Sequence, residues 1–188
     1  MSCNNVNFEH PFDLNVSSGA LSPSYKQVYK FGQNAVVGNS METIWQQGGI
    51  YSYPPSASTM TVSSSDVNDT SAGTGARTVL ISGLDASYNE ASETIILNGQ
   101  TAVTTVNTYI RMNRAIVLTA GSSGVNAGII YVGTGTVTSG VPANIYTTIN
   151  GDGTNQTLQH FGQYLLITLL IFIKQISQQE IVQILLLF

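Results

Sequence analysis

Residues 73–117 decide the fold: GTGARTVLISGLDASYNEASETIILNGQTAVTTVNTYIRMNRAIV. Strand-forming residues cluster in short runs, at 78–81, 94–97, 103–112 and 115–118. Turn formers separate them: Gly83 with Asp85, then Asn98-Gly99, then Asn113. Side chains alternate across a strand, so Val79 and Ile81 share one face and Thr78 and Leu80 the other. Ile95 and Leu97 repeat that pattern. Asn98-Gly99 tolerates positive φ at both positions and predicts a hairpin. The reading is an antiparallel meander at the centre of a sheet. Asp85 is expected to cap the Gly83 turn through its side chain. Glu93 is expected to pair with Arg77 across the Val79–Ile95 hairpin.

Short strands flank this centre. Residues 26–31 (KQVYKF), 43–45 (TIW) and 50–53 read as short extended pieces, the last stopping at Pro54-Pro55. Residues 57–63 alternate, with Met60 and Val62 on one face. Residues 66–75 (DVNDTSAGTG) form a loop. Residues 129–132 and 136–138 read as two strands split by Gly133-Thr134-Gly135. Residues 143–149 alternate, with Ile145, Thr147 and Ile149 together. Short strands at this spacing argue for an all-β fold, an antiparallel β-sandwich or jelly-roll-like domain. The domain reading is an extended N-terminal arm over 1–40, the sandwich over 41–158 and an atypical apolar tail over 159–188.

Composition narrows the function. Only 9% of residues are charged, against ~25% in an average domain. Ser, Thr, Asn, Gln and Gly supply the polarity, which suits stacked β surfaces. The net charge is −4 and no basic patch occurs, so nucleic-acid binding has no electrostatic footing. Cys3 is the only cysteine, which excludes an intramolecular disulfide and a cysteine-based zinc site. No positive-then-apolar leader opens the sequence, so assembly in a host cytoplasm is the expectation.

The tail is anomalous. Residues 164–188 contain no Gly, Pro, Asn or Asp. The apolar run over 165–173 is too short for a membrane span, which needs roughly 20 residues. Codon degeneracy offers another account. Read in the shifted frame, the codons from Gln159 onward permit A-F-W-T-I-P-A-(D/N)-Y-T-A-Y-L-Y-K, a β-type sequence with a Pro-Ala turn. A frameshift near Leu158 is therefore expected. Resequencing the gene checks it: the other frame should encode Trp-Thr-Ile/Val-Pro-Ala and continue. An early stop in that frame, or this same tail from several independent clones, would sink the idea.

A set of ordered signatures carries a resemblance. Lys30-Phe31-Gly32, Ile44-Trp45, Gly48-Gly49 with Tyr51, Asn68-Asp69-Thr70 and Gly83-Leu84-Asp85 come first. Tyr88-Asn89-Glu90, Leu97-Asn98-Gly99 with Thr101, Arg111, Arg114-Ala115 and Gly121-Ser122-Ser123-Gly124 follow. Over about residues 25–158 the chain resembles a group of uncharacterised tailed-bacteriophage proteins, of marine phage type, that sit among virion structural genes. That group's chain looks to continue as Thr-Val/Ile-Pro-Ala-Gly-Lys-Thr-Ala-Tyr, which the shifted frame also resembles. The resemblance implies a particle component, in capsid or tail, and brings no catalytic residues with it.

Candidate chemistry is sparse. The acids Asp66 with Asp69, and Asp85, Glu90 and Glu93, read as turn and loop polarity rather than a glycosidase pair. Residues 150–155 (NGDGTN) faintly resemble a calcium loop, but Asp152 is their only carboxylate and a plain turn is the reading. His10 and His160 stand far apart, and no nucleophilic triad can be assembled. No catalytic, cofactor or metal residue is assigned, and no enzyme activity is expected. Trp45, Tyr51 and Tyr53, beside Gly48-Gly49 and Pro54-Pro55, form the candidate ligand or interface cluster. Arg111 and Arg114 stand three apart; a regular strand separates them to opposite faces, whereas a bulge at Asn113 changes that. They read as interface or edge charges.

The expected function is a non-enzymatic structural component of a phage particle. Its partners would be other virion proteins and its own copies. The alternative is a receptor- or glycan-binding β module of a phage tail or cell surface, using an exposed face with Tyr51, Tyr53, Tyr88 or Tyr109.

Overall fold

The computed structural model describes residues 25–27, 31–35, 37–160 and 185–187. The strands are β1 (Tyr25–Gln27), β2 (Ser58–Ser64), β3 (Ala76–Leu84), β4 (Glu90–Ile96), β5 (Val103–Tyr109), β6 (Arg111–Ala120), β7 (Ile130–Thr138), β8 (Val141–Ile149) and β9 (Leu185–Leu187). Two units divide them. In the unit made of Met1–Tyr29 and Leu165–Phe188, β1 pairs antiparallel with β9, Lys26 opposite Leu186. Of the strand expected over 26–31, Lys26 and Gln27 lie in β1, residues 28–30 lie outside the described residues and Phe31 is in no strand. Of the arm expected over 1–40, residues 1–24, 28–30 and 36 lie outside the described residues, as do 161–184 and 188 of the tail expected over 159–188.

The unit Lys30–Tyr164 is an all-β sandwich. One antiparallel sheet has the order β5-β2-β7-β8 and the other the order β4-β3-β6. No helix occurs among the described residues. The β3–β4 hairpin has the register expected, Val79 opposite Ile95. Its turn is held by Asp85, whose Oδ1 accepts from Ser87 N at 2.8 Å and Asn89 N at 2.9 Å. The Asn89 N–H, ahead of the other donors, holds the Asp85 carboxyl below the usual carboxylate range.

The meander itself is corrected. Asn98-Gly99 does not join paired strands; β4 belongs to one sheet and β5 to the other. Gly99 does adopt positive φ, 58°. Its N–H, however, donates to Asp69 O at 2.7 Å, and its own carbonyl accepts from Ser64 N at 2.9 Å. The loop around Asp69 therefore captures the turn and sends the chain across the sandwich. The run over 103–112 is likewise not one strand. It breaks at Ile110, whose N–H donates to Leu84 O at 2.8 Å, and β5 and β6 part to different sheets. Residues 43–45 and 50–53 are not strands either. Thr43 and Trp45 bond within a local turn that closes through Gly48 and Gly49, both at φ 69°. The two strands expected around Gly133-Thr134-Gly135 are one, β7, with register shifts at those residues.

One core joins the sheets. Met60 and Val62 of β2, Val79 and Ile81 of β3, Ile95 of β4, Met112 and Ala115 of β6, and Ile130 and Val132 of β7 are all buried in it. Met112 and Ala115 are three apart yet both buried, because β6 carries a bulge at Asn113: Ser82 faces Arg114 while the next residue, Gly83, faces Met112. That is the bulge contemplated from the sequence.

Single side chains close the two flanks. Glu93 of β4 does not pair with Arg77; the register sets it opposite Ile81, and Arg77 Nε donates to Gly73 O at 3.1 Å. The Glu93 carboxylate instead accepts from Val106 N at 2.9 Å and Asn107 N at 2.9 Å, both on β5. Those N–H groups lie where β5 bulges against β2, between the pairs Thr59–Thr108 and Thr61–Thr104. On the other flank Gln159 is buried. Its Nε2 donates to Met112 O of β6 at 2.9 Å and its Oε1 accepts from Thr147 Oγ1 of β8 at 2.7 Å. Residues 155–157 run along the free edge of β6, with Val117 N donating to Asn155 O and Thr157 N to Ala115 O, each at 2.9 Å.

Candidate functional site

The segment over residues 42–56 packs its aromatics on the four-stranded sheet and leaves a cleft beside them. Trp45 and Tyr51 are both buried. Their rings meet edge to face, centroids 5.0 Å apart at 90°, and Tyr51 meets Tyr53 in the same way at 4.9 Å and 82°. Trp45 Nε1 donates to Gly48 O at 2.7 Å, which the left-handed glycine turn makes possible. The Tyr51 hydroxyl donates to Tyr146 O of β8 at 3.0 Å, and burial pushes its pKa well above the ordinary phenol value. Glu42 steadies the start of the segment. It accepts from Asn34 Nδ2 at 2.7 Å and Gly38 N at 3.1 Å, and Asn34 leads in lowering its pKa.

Arg111 joins this cluster. Its guanidinium lies 4.6 Å from the Tyr53 ring centroid and 5.8 Å from that of Tyr88. It also donates to Ile110 O at 2.7 Å. The structure therefore brings together Trp45, Tyr51, Tyr53 and Arg111. Arg114 stands apart, exposed, with Nη2 donating to Gln156 Oε1 at 2.8 Å. A tyrosine surface platform is corrected in two positions: Tyr51 and Tyr109 are buried, so only Tyr53 and Tyr88 of the expected four reach solvent. Burial also raises the Tyr109 pKa.

The cleft has a volume of about 920 Å³. Trp45, Tyr53 and Tyr146 give it aromatic surface, and Thr134, Asn144 and Gln47 give it hydroxyl and amide groups. No Asp, Glu, Lys, Arg or His lines it. Sequence reading missed Thr134, Asn144 and Tyr146. They sit in β7 and β8, 89 to 101 residues from Trp45, and nothing local marks them.

The acids are occupied in holding loops. Asp69 is fully buried. Its Oδ1 accepts from Ala76 N at 2.7 Å and Ala127 N at 2.8 Å; its Oδ2 accepts from Gly128 N at 2.9 Å and Ser64 Oγ at 2.6 Å. One side chain thus ties four stretches of chain together. Loop polarity was the expectation, and the buried latch was missed. Asp66 caps its own turn through Asn68 N at 2.8 Å. Asp152 Oδ1 accepts from Thr154 N at 3.0 Å and Thr154 Oγ1 at 2.7 Å, a turn made within the loop over 150–155. Among the described residues no three His, Cys, Asp or Glu side chains gather. No helix there is long and apolar enough to cross a membrane.

Comparison with family models, with curated proteins and with solved structures finds no match to this chain.

Proposed function

We propose that this protein is a non-enzymatic structural component of a tailed-phage particle that works through assembly contacts with its own copies and with other virion proteins. The observation that carries the reading is the outer face of the three-stranded sheet. Thr78 stands opposite Ile96, and Leu80 opposite Thr94 and Ile116. Ile96 is 61% exposed and Leu118 is 50% exposed. Charge is nearly absent from the centre of this face, so a second copy can meet it without like-charge repulsion. The resemblance to phage structural proteins points the same way.

Sedimentation of the purified chain over a range of concentrations tests it. Self-association is expected, and Ile96→Lys with Leu118→Lys should shift the protein to monomer while leaving its melting temperature within a few degrees. A chain that stays monomeric throughout, or an oligomer untouched by both lysines, would overturn the assembly face. Mass spectrometry of purified virions tests the particle assignment separately.

A further inference from the structure

We propose that the cleft beside Trp45 is a binding site for a neutral hexose unit of a glycan. The inference stands independently of the assembly face, which lies on the other sheet. At about 920 Å³ the cleft falls within the ~300–1,000 Å³ of small-molecule sites. Its chemistry is two-sided. Tyr53, 46% exposed, offers an apolar ring face that suits the C–H face of a sugar ring, and the buried Trp45 and Tyr146 line the wall beside it. Asn144 and Gln47 carry amides that both donate and accept, as adjacent sugar hydroxyls require. A phosphate, a uronic acid or a nucleic-acid backbone would need a cationic side chain, and none lines the cleft.

The walls are preorganised. Trp45 is fixed by its bond to Gly48 O and by the Tyr51 ring, and Tyr51 in turn is bonded to β8. The polar floor is more loosely engaged. Asn144 Nδ2 donates to Thr134 Oγ1 at 3.4 Å, and Thr134 Oγ1 donates to the Tyr146 hydroxyl at 3.4 Å. Both bonds are long, so ligand hydroxyls can replace them at small cost. Fixed aromatics with exchangeable polar groups are what a site for a polyhydroxylated neutral ligand needs.

Trp45 is the chain's single tryptophan, so intrinsic fluorescence reports on this cleft. The full chain would be titrated with maltose, lactose, cellobiose and diacetylchitobiose, and screened on an array of neutral and acidic glycans. A saturable fluorescence change with at least one neutral sugar is expected. Asn144→Ala should weaken it about tenfold, and Ala143→Phe, which places a ring in the cleft from an exposed position, should abolish it. Unchanged melting temperatures would show that both variants fold. The proposal is overturned by the absence of saturable binding to any neutral sugar, by binding of acidic glycans alone, or by neutral-sugar binding that both variants leave intact.

Discussion

Asp69→Ala is expected to cost about 3–5 kcal/mol, as much as half the ~5–15 kcal/mol that separates a folded domain from its unfolded chain. The carboxyl group is fully buried and accepts three backbone N–H groups and one hydroxyl. An alanine strands those donors in a place water does not reach, and each stranded donor costs about 1–3 kcal/mol. Asp69→Asn should be intermediate: one oxygen still accepts, while the new amide donors face donors. Asp66→Ala is the control, because that carboxyl caps only its own turn, and it should cost about 0.5–1 kcal/mol. Urea unfolding of the three variants gives the comparison. A loss at Asp69→Ala no larger than at Asp66→Ala would show that the latch contributes nothing special.

Ile81→Ala and Ile95→Ala should each cost about 2–5 kcal/mol. Both side chains are buried in the core that joins the sheets, on adjacent strands of the β3–β4 hairpin. Ile96→Ala, one residue along β4 and 61% exposed, should stay within ~0.5 kcal/mol. The contrast within one strand tests the inward face directly. Equal losses at Ile95 and Ile96 would mean that β4 is covered on both sides in solution. Because Val79 faces Ile95 across the ladder, a Val79→Ala, Ile95→Ala pair should depart from additivity.

What the sequence made legible was local. The alternation of Val79 and Ile81, the register of the β3–β4 hairpin and the Asp85 cap all depend on residues within about twenty positions of one another. The Asn113 bulge, by contrast, is set against Ser82 and Gly83 about thirty positions earlier, and the sequence offered it only as the alternative to a regular strand. What failed was non-local. Asn98-Gly99 has hairpin chemistry and Thr101 N donates to Asn98 O, but Gly99 bonds to Ser64 and Asp69 and the flanking strands go to different sheets. Glu93 finds its partners on β5, in the other sheet, not on the strand beside it. Asp69 binds amides 58 and 59 residues further on, and no pattern around Asp69 announces them. The cleft shows the same limit. Its aromatic rim reads from Trp45 to Tyr53, while its floor on β7 and β8 is visible only once the chain is folded.

The two flank closures bear on how copies of this protein can be joined. Glu93 occupies two β5 amides, those of Val106 and Asn107 at the bulge, and residues 155–157 run bonded along the edge of β6. The covered β6 edge is closed to an added strand, and the bulge with its Glu93 bonds interrupts the regular β5 ladder, two devices that work against edge-to-edge growth. The assembly proposed above would then join copies at these flanks through side chains and not through shared strands, so separating them would require no strand to unpair there.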